Sequence, residues 1–272
     1  MKKFFLIFSF IFSSCSLFMH PDKKLYLDPA DYSVKHETIK FKSQDGSILT
    51  GLFFPAKGSL KGTIVHFHGN SQNISAHWPY SVQFSNYGYN VFIFDYRGFG
   101  ASKGKASIKN SVQDGIAAIK HSFLLPGADK NKIIIFGQSL GGAIAAASVF
   151  LCEGFKPAAM IVEGSFYSYK DVAYEVAKNN FYLWPIIWYP KIFISGEYSP
   201  EKYIDKIDCP KLFIHSRKDH TVPFSQGKKY YEKASQPKEF VETPDGHIEA
   251  LGKYKELFLP KIISFLEKHL SS

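Results

Sequence analysis

At 272 residues, with 45% apolar and 21% charged side chains and no long block of like charge, the chain can bury one large core and is not a disordered protein. Its net charge of +9 comes from 33 Lys and Arg scattered along the whole length. That scatter argues against nucleic-acid recognition and leaves a solvated, lysine-rich surface, with a weak attraction to anionic membranes as the alternative.

Met1-Lys2-Lys3 is a basic start, followed by an apolar run from Phe4 to Phe12 broken only by Ser9. The run is too short to span a bilayer and fits a secretory signal peptide. Phe12-Ser13-Ser14-Cys15 resembles a bacterial lipobox, with Phe12 where Leu is usual. Residues 1–15 are therefore expected to be a lipoprotein-type signal, with Cys15 lipidated and the protein exported to the cell envelope and held on a membrane. An uncleaved apolar N-terminal helix is the alternative. Residues 16–34 read as a linker. With Cys15 so used, Cys152 and Cys209 read as buried small hydrophobes rather than a disulfide.

From residue 35 a single domain is expected. Ile39–Lys42 and Ile48–Phe54 form a hairpin across the turn Gln44-Asp45-Gly46-Ser47. Short apolar runs follow at Gly62–Phe67, Asn90–Phe94, Lys132–Phe136, Ala158–Val162, Lys211–Ile214 and Glu239–Val241. Helical stretches alternate with them at 75–87, 109–123, 139–153, 225–235 and 248–269. Runs apolar on both faces, alternating with helices, predict an α/β fold with a mostly parallel sheet covered on both sides.

One interval breaks this rhythm. Residues 166–198 carry eleven aromatic side chains, Trp184 and Trp188 among them. The segment, about 166–200, reads as a cap inserted between two core strands, its rings either walling an acyl pocket or forming only the cap's own core.

Gly137-Gln138-Ser139-Leu140-Gly141 matches Gly-x-Ser-x-Gly. Alone the pattern is weak, but here it follows the apolar strand Ile133–Phe136 and opens an Ala-rich helix, the strand–turn–helix setting of a nucleophile elbow. A serine hydroxyl needs a base to take its proton. Asp219, after the run at 211–214, and His247, in the turn Pro244-Asp245-Gly246-His247, supply an acid and a base in the order Ser, Asp, His. Asp245 is the alternative acid. His220 adjoins the acid and has no loop of its own; His121 and His269 fall on helices and read as solvated. His66, His68 and His77 have no Asp, Glu or Cys beside them at ligand spacing, so no metal is expected. His68-Gly69-Asn70 follows a strand, and the backbone N–H groups of Asn70 and Leu140 are expected to form an oxyanion hole.

These motifs together resemble the α/β-hydrolase superfamily, in its serine esterase, thioesterase and peptidase branch. The resemblance spans about residues 35–270. Beyond the elbow it rests on His68-Gly69-Asn70, on Asp95-Tyr96-Arg97-Gly98-Phe99-Gly100-Ala101-Ser102, on Cys209-Pro210 with Asp219 and Val222-Pro223, and on Gly246-His247. Ser216 departs from it, standing where the family often has Gly. The resemblance implies acyl transfer to water through an acyl-enzyme, with no cofactor; caps vary most in this family, so the substrate does not carry over, and a small-molecule or lipid-like acyl ester is the expected one. Thioester or peptide cleavage by the same residues is the first alternative, and a non-enzymatic envelope binding protein on this scaffold is the second.

Overall fold

The computed structural model describes residues 18–178 and 182–270. The strands of its main sheet are β1 (Glu37–Lys42), β2 (Ile48–Phe54), β3 (Gly62–Phe67), β4 (Tyr89–Phe94), β5 (Ile133–Gln138), β6 (Ala159–Glu163), β7 (Lys211–Ser216) and β8 (Lys238–Thr243). They form one sheet in the order β8-β7-β6-β5-β3-β4-β2-β1. The β1–β2 and β2–β4 pairs are antiparallel and all others parallel. The β1–β2 turn closes with Ser43 N donating to Ser47 O at 2.9 Å.

The central strands are buried at every position because both faces are covered, and their side chains alternate between two cores. Ile133 and Ile135 of β5, with Phe92 and Phe94 of β4, pack under helices α2 (Ile108–Ser122) and α3 (Leu140–Leu151). Ile134, Phe136, Val91 and Ile93 face the opposite way, under α1 (Ile74–Ser81) and the C-terminal helix, α7 (Lys255–Leu270). In between in the chain come α4 (Tyr169–Lys178), α5 (Tyr189–Phe193) and α6 (Phe224–Lys233). Helix α3 is buried from Leu140 to Val149. Its run of alanines and glycines lets it lie against the sheet.

Three boundaries differ from the sequence reading. The first helix ends at Ser81 and continues as a 3-10 turn over Val82–Tyr87. The last helix starts at Lys255, not directly after His247, because residues 248–250 stay against the sheet, where Ala250 N donates to Glu163 Oε1 at 2.8 Å. The third is the segment expected to be a linker, which from Phe18 onward is part of the domain. His20–Pro21 pairs with Ser71–Gln72, and Met19 is buried. Asn73 Nδ2 donates to the carbonyls of Asp22 and Lys24, and Trp78 Nε1 to that of Leu27. The chain lacks a strand pattern there because side chains and carbonyls some fifty positions apart hold it, rather than a ladder of its own.

Cys152 and Cys209 are free and buried. The loop after β4 is held by Arg97, whose guanidinium donates to Asp114 at 2.7 Å and whose backbone N–H donates to the same carboxylate at 2.8 Å. The Asp95–Ser102 motif thus serves as framework beside the sheet's C-terminal edge.

Candidate active site

The sharp turn between β5 and α3 holds Ser139 at φ 53° and ψ −125°, a conformation few non-glycine residues adopt. Ser139 N donates to Glu163 O at 2.8 Å, and Gly142 N donates to Ser139 O at 3.0 Å. The turn fits only because its neighbours lack side chains. A Cβ on Gly141 would lie 2.1 Å from the carbonyl oxygen of Phe67 and 2.4 Å from that of His68.

Asp219 follows β7 and His247 follows β8, both at the C-terminal edge of the sheet where Ser139 emerges, the usual ligand-binding edge of such folds. His247 Nδ1 donates to Asp219 Oδ2 at 2.6 Å, and Ser139 Oγ donates to His247 Nε2 at 2.9 Å. The tautomer follows from the partners, since a carboxylate only accepts. The second oxygen of Asp219 accepts from the backbone N–H groups of Thr221 at 2.8 Å and Val222 at 2.9 Å. Asp219 is buried, and Ser139 nearly so. This chain of hydrogen bonds can pass the serine proton to the imidazole while the carboxylate fixes the ring and balances its charge.

The rival groups lie elsewhere. His220 is exposed. Asp245 pairs with Lys253 at 3.1 Å. His66 is buried between Ser81 Oγ at 2.9 Å and Gln138 Oε1 at 3.0 Å, and burial pushes its pKa well below the usual histidine value. His68 is buried likewise, with Nδ1 at 2.8 Å from Gly69 O, and burial again holds it neutral. His121, expected in solvent, is half-buried and stacks on Phe41 at 5.0 Å. His269 lies 3.7 Å from Glu239.

A cavity of about 740 Å³ opens over Ser139 and His247, and both Asn70 and Leu140 are on its wall. The rest of the wall is mainly apolar, with Phe18, Phe166, Ala173, Val176, Ile186 and Ile194 among the contributors. The described residues of the segment 166–200 contribute Phe166, Ala173, Ile186 and Ile194 to this wall. However, Trp184 and Trp188 do not line the cavity; both point outward into solvent. The Phe and Tyr rings that do line it are Phe18, Phe166, Tyr80 and Tyr189, and aliphatic side chains do most of the remaining lining. Cys15 and Phe181 lie outside the described residues.

Two buried groups at the site were missed from the sequence. Glu163, at the end of β6, accepts from Gln138 Nε2 at 2.8 Å as well as from Ala250 N, tying the residue before Ser139 to the turn carrying His247. Burial raises its pKa, partly offset by those two donors. A charged residue ending an apolar strand run was the available signal. His215 lies 3.4 Å from Asp219 Oδ2 and donates from Nε2 to Val222 O at 3.0 Å, bracing the turn that bonds Asp219.

The comparisons with known proteins bear on this geometry. The model of the family described as serine aminopeptidase, S33 matches residues 58–191. The Arabidopsis thaliana α/β-hydrolase domain-containing protein WAV2 is 31% identical over 91% of this chain and 83% of its own length. The chain belongs to the α/β-hydrolase superfamily. This α/β-hydrolase is also 32% identical to the uncharacterized protein YfhR of Escherichia coli (strain K12), over 92% of this chain and 86% of that one. Among solved structures it resembles an esterase of Pyrococcus furiosus, with a TM-score of 0.74 and 20% identity, covering 93% of this chain and 98% of the other. An acetyl xylan esterase of Thermoanaerobacterium gives a TM-score of 0.68 at 17% identity, over 91% and 89% of the two chains. At such identities these structures share its fold.

Proposed function

We propose that this hydrolase cleaves carboxylic esters with an apolar acyl group through a serine acyl-enzyme. One observation carries the reading: the hydrogen-bonded series Asp219–His247–Ser139 ends on a hydroxyl that faces a large, mainly apolar cavity. Ser139 Oγ attacks the ester carbonyl while His247 Nε2 takes its proton. The oxyanion accepts hydrogen bonds from the backbone N–H groups of Asn70 and Leu140, donors typically worth about 3–4 kcal/mol each. His247 returns the proton to the leaving alkoxide, the alcohol departs, and water attacks the acyl-enzyme by the same proton route.

The described residues of the cavity wall include no Asp or Glu. An aminopeptidase needs a carboxylate or an equivalent group to hold the substrate's free ammonium, so the wall favours an acyl ester over a peptide N-terminus. An acyl thioester satisfies the same wall and differs only in its leaving group. The N-terminal sequence further supports export and lipidation at Cys15, and with them an activity at the cell envelope.

The test is the full-length protein on a panel of p-nitrophenyl esters, acyl thioesters and aminoacyl amides, together with fluorophosphonate labelling. Ester turnover and labelling, both lost in Ser139→Ala, are expected. Labelling of Ser139→Ala at the wild-type level would overturn the assignment.

A further inference from the structure

We infer that the outer face of the cap is a membrane-docking surface, which seats the cavity mouth on a lipid bilayer. The segment 182–194 is apolar on both of its faces. Leu183, Ile186, Tyr189, Pro190 and Ile194 turn inward and wall the cavity. Trp184, Trp188, Ile192 and Phe193 turn outward, and they are 65%, 52%, 65% and 54% exposed. A cap shaped only to enclose a substrate needs one apolar face, and its solvent side would be polar. Here residues 179–196 hold one charged side chain, Lys191, which pairs with Asp171 at the base of the patch. Tryptophan, phenylalanine and isoleucine together, with lysine at the margin, make the composition of a segment lying in the interfacial layer of a bilayer.

The N-terminal strap points the same way. Phe18 packs on Tyr169 at 5.1 Å and on Phe166 at 6.3 Å, and it lines the cavity. The chain therefore enters the domain on the cap's side. Cys15 is three residues ahead of Phe18, so an acyl anchor on it would be held within about 10 Å of the cap. A bilayer thus reaches the anchor and the exposed face together, and a second copy of the chain does not. Docked in this way, the enzyme takes its acyl substrate from the lipid phase. Docking itself is independent of which bond is cleaved.

The chain's own tryptophans report on this. There are three: Trp184 and Trp188 on the patch, and Trp78, which is buried against Phe54. Full-length protein is bound to vesicles of phosphatidylethanolamine and phosphatidylglycerol brominated on their acyl chains, and its emission is compared with that on unbrominated vesicles. The wild type is expected to lose most of the emission from Trp184 and Trp188. The variant W184F/W188F, which keeps only Trp78, is expected to be unquenched. Replacing Ile192 and Phe193 by Ser, on residues that do not line the cavity, should weaken the quenching at unchanged hydrolysis of a soluble short-chain ester. Vesicle-bound protein with unquenched Trp184 and Trp188 would overturn the inference, as would protein that does not bind vesicles. So would a blue shift that grows with protein concentration in the absence of lipid, the sign of a second copy on the patch. Because the readout is fluorescence, it holds or fails apart from the proposed hydrolysis.

Discussion

Asp219 binds His247 Nδ1 through one carboxylate oxygen at 2.6 Å while its other oxygen accepts two backbone N–H groups, so both the acid and the ring it orients are fixed. In this arrangement the carboxylate's role is to hold a tautomer. Asp219→Asn replaces an acceptor by a donor that faces the ring from the wrong side. The expected kcat loss is about 10⁴-fold, with the fold intact. Ser139→Ala and His247→Ala should each cost on the order of 10⁶-fold, and the double variant little more, because the three act as a unit. Steady-state kinetics with a p-nitrophenyl ester and far-UV circular dichroism check both statements. Inactivation by His220→Ala in place of His247→Ala would sink the assignment.

Glu163 links Gln138 to Ala250 and thereby fixes the distance between the elbow and the histidine turn. In Glu163→Gln one carboxylate oxygen becomes an amide that meets a donor. The expected outcome is a fall of about 10- to 100-fold in kcat with KM little changed, because a misplacement of about 1 Å between reacting groups has that effect. An equal fall in thermal stability and activity for Glu163→Gln, with kcat restored at low temperature, would reduce Glu163 to a stability role.

Burial raises the Asp95 carboxyl from its usual value near 3.8 to about 7, against the pull of the Ile74 and Ala101 backbone N–H groups. A raised acid favours folding while it is protonated, so its contribution is fully present below about pH 4 and is lost as pH rises toward 7. Asp95→Asn lacks that titration. Wild type should therefore gain on the variant as pH falls from 7 to 4, by about 4 kcal/mol at most. Urea denaturation of both proteins across that window measures the gain, and a constant difference would contradict it.

The inward face of α4 sets the depth of the cavity. Ala173→Trp should fill it and lower kcat/KM for an octanoyl ester at least about tenfold, since each excluded methylene is worth about 0.8 kcal/mol. An acetyl ester should change less than about threefold on the same reasoning. Trp184→Ala should leave the ratio of the two esters as it is, because Trp184 points away from the cavity. A chain-length shift in Trp184→Ala with none in Ala173→Trp would reverse this assignment of faces.

The central sheet was readable because its strands are mainly apolar runs that end at turns. Gly137-Gln138-Ser139-Leu140-Gly141 was readable because its neighbours are a strand and an Ala-rich helix, and Asp219 and His247 because both follow core strands. Residues 18–34 were not, because Asn73 and Trp78 hold them through carbonyls about fifty positions away, a contact that leaves no period in either segment. Trp184 and Trp188 announced a cap but not its inside and outside. A segment apolar on both faces carries no periodic signal to tell the two apart.

Gly141 has a consequence beyond local fit. The backbone that its missing Cβ would strike, at Phe67 and His68, leads directly to Gly69-Asn70, so the contact bounds how closely the N–H groups of Asn70 and Leu140 can approach one another. The gauge of the oxyanion site is set by the absence of one carbon atom. A lineage acquiring alanine at 141 would meet a steric wall that no side-chain rotamer relieves, and only a tilt of the whole helix, carrying Ser139 with it, would make room.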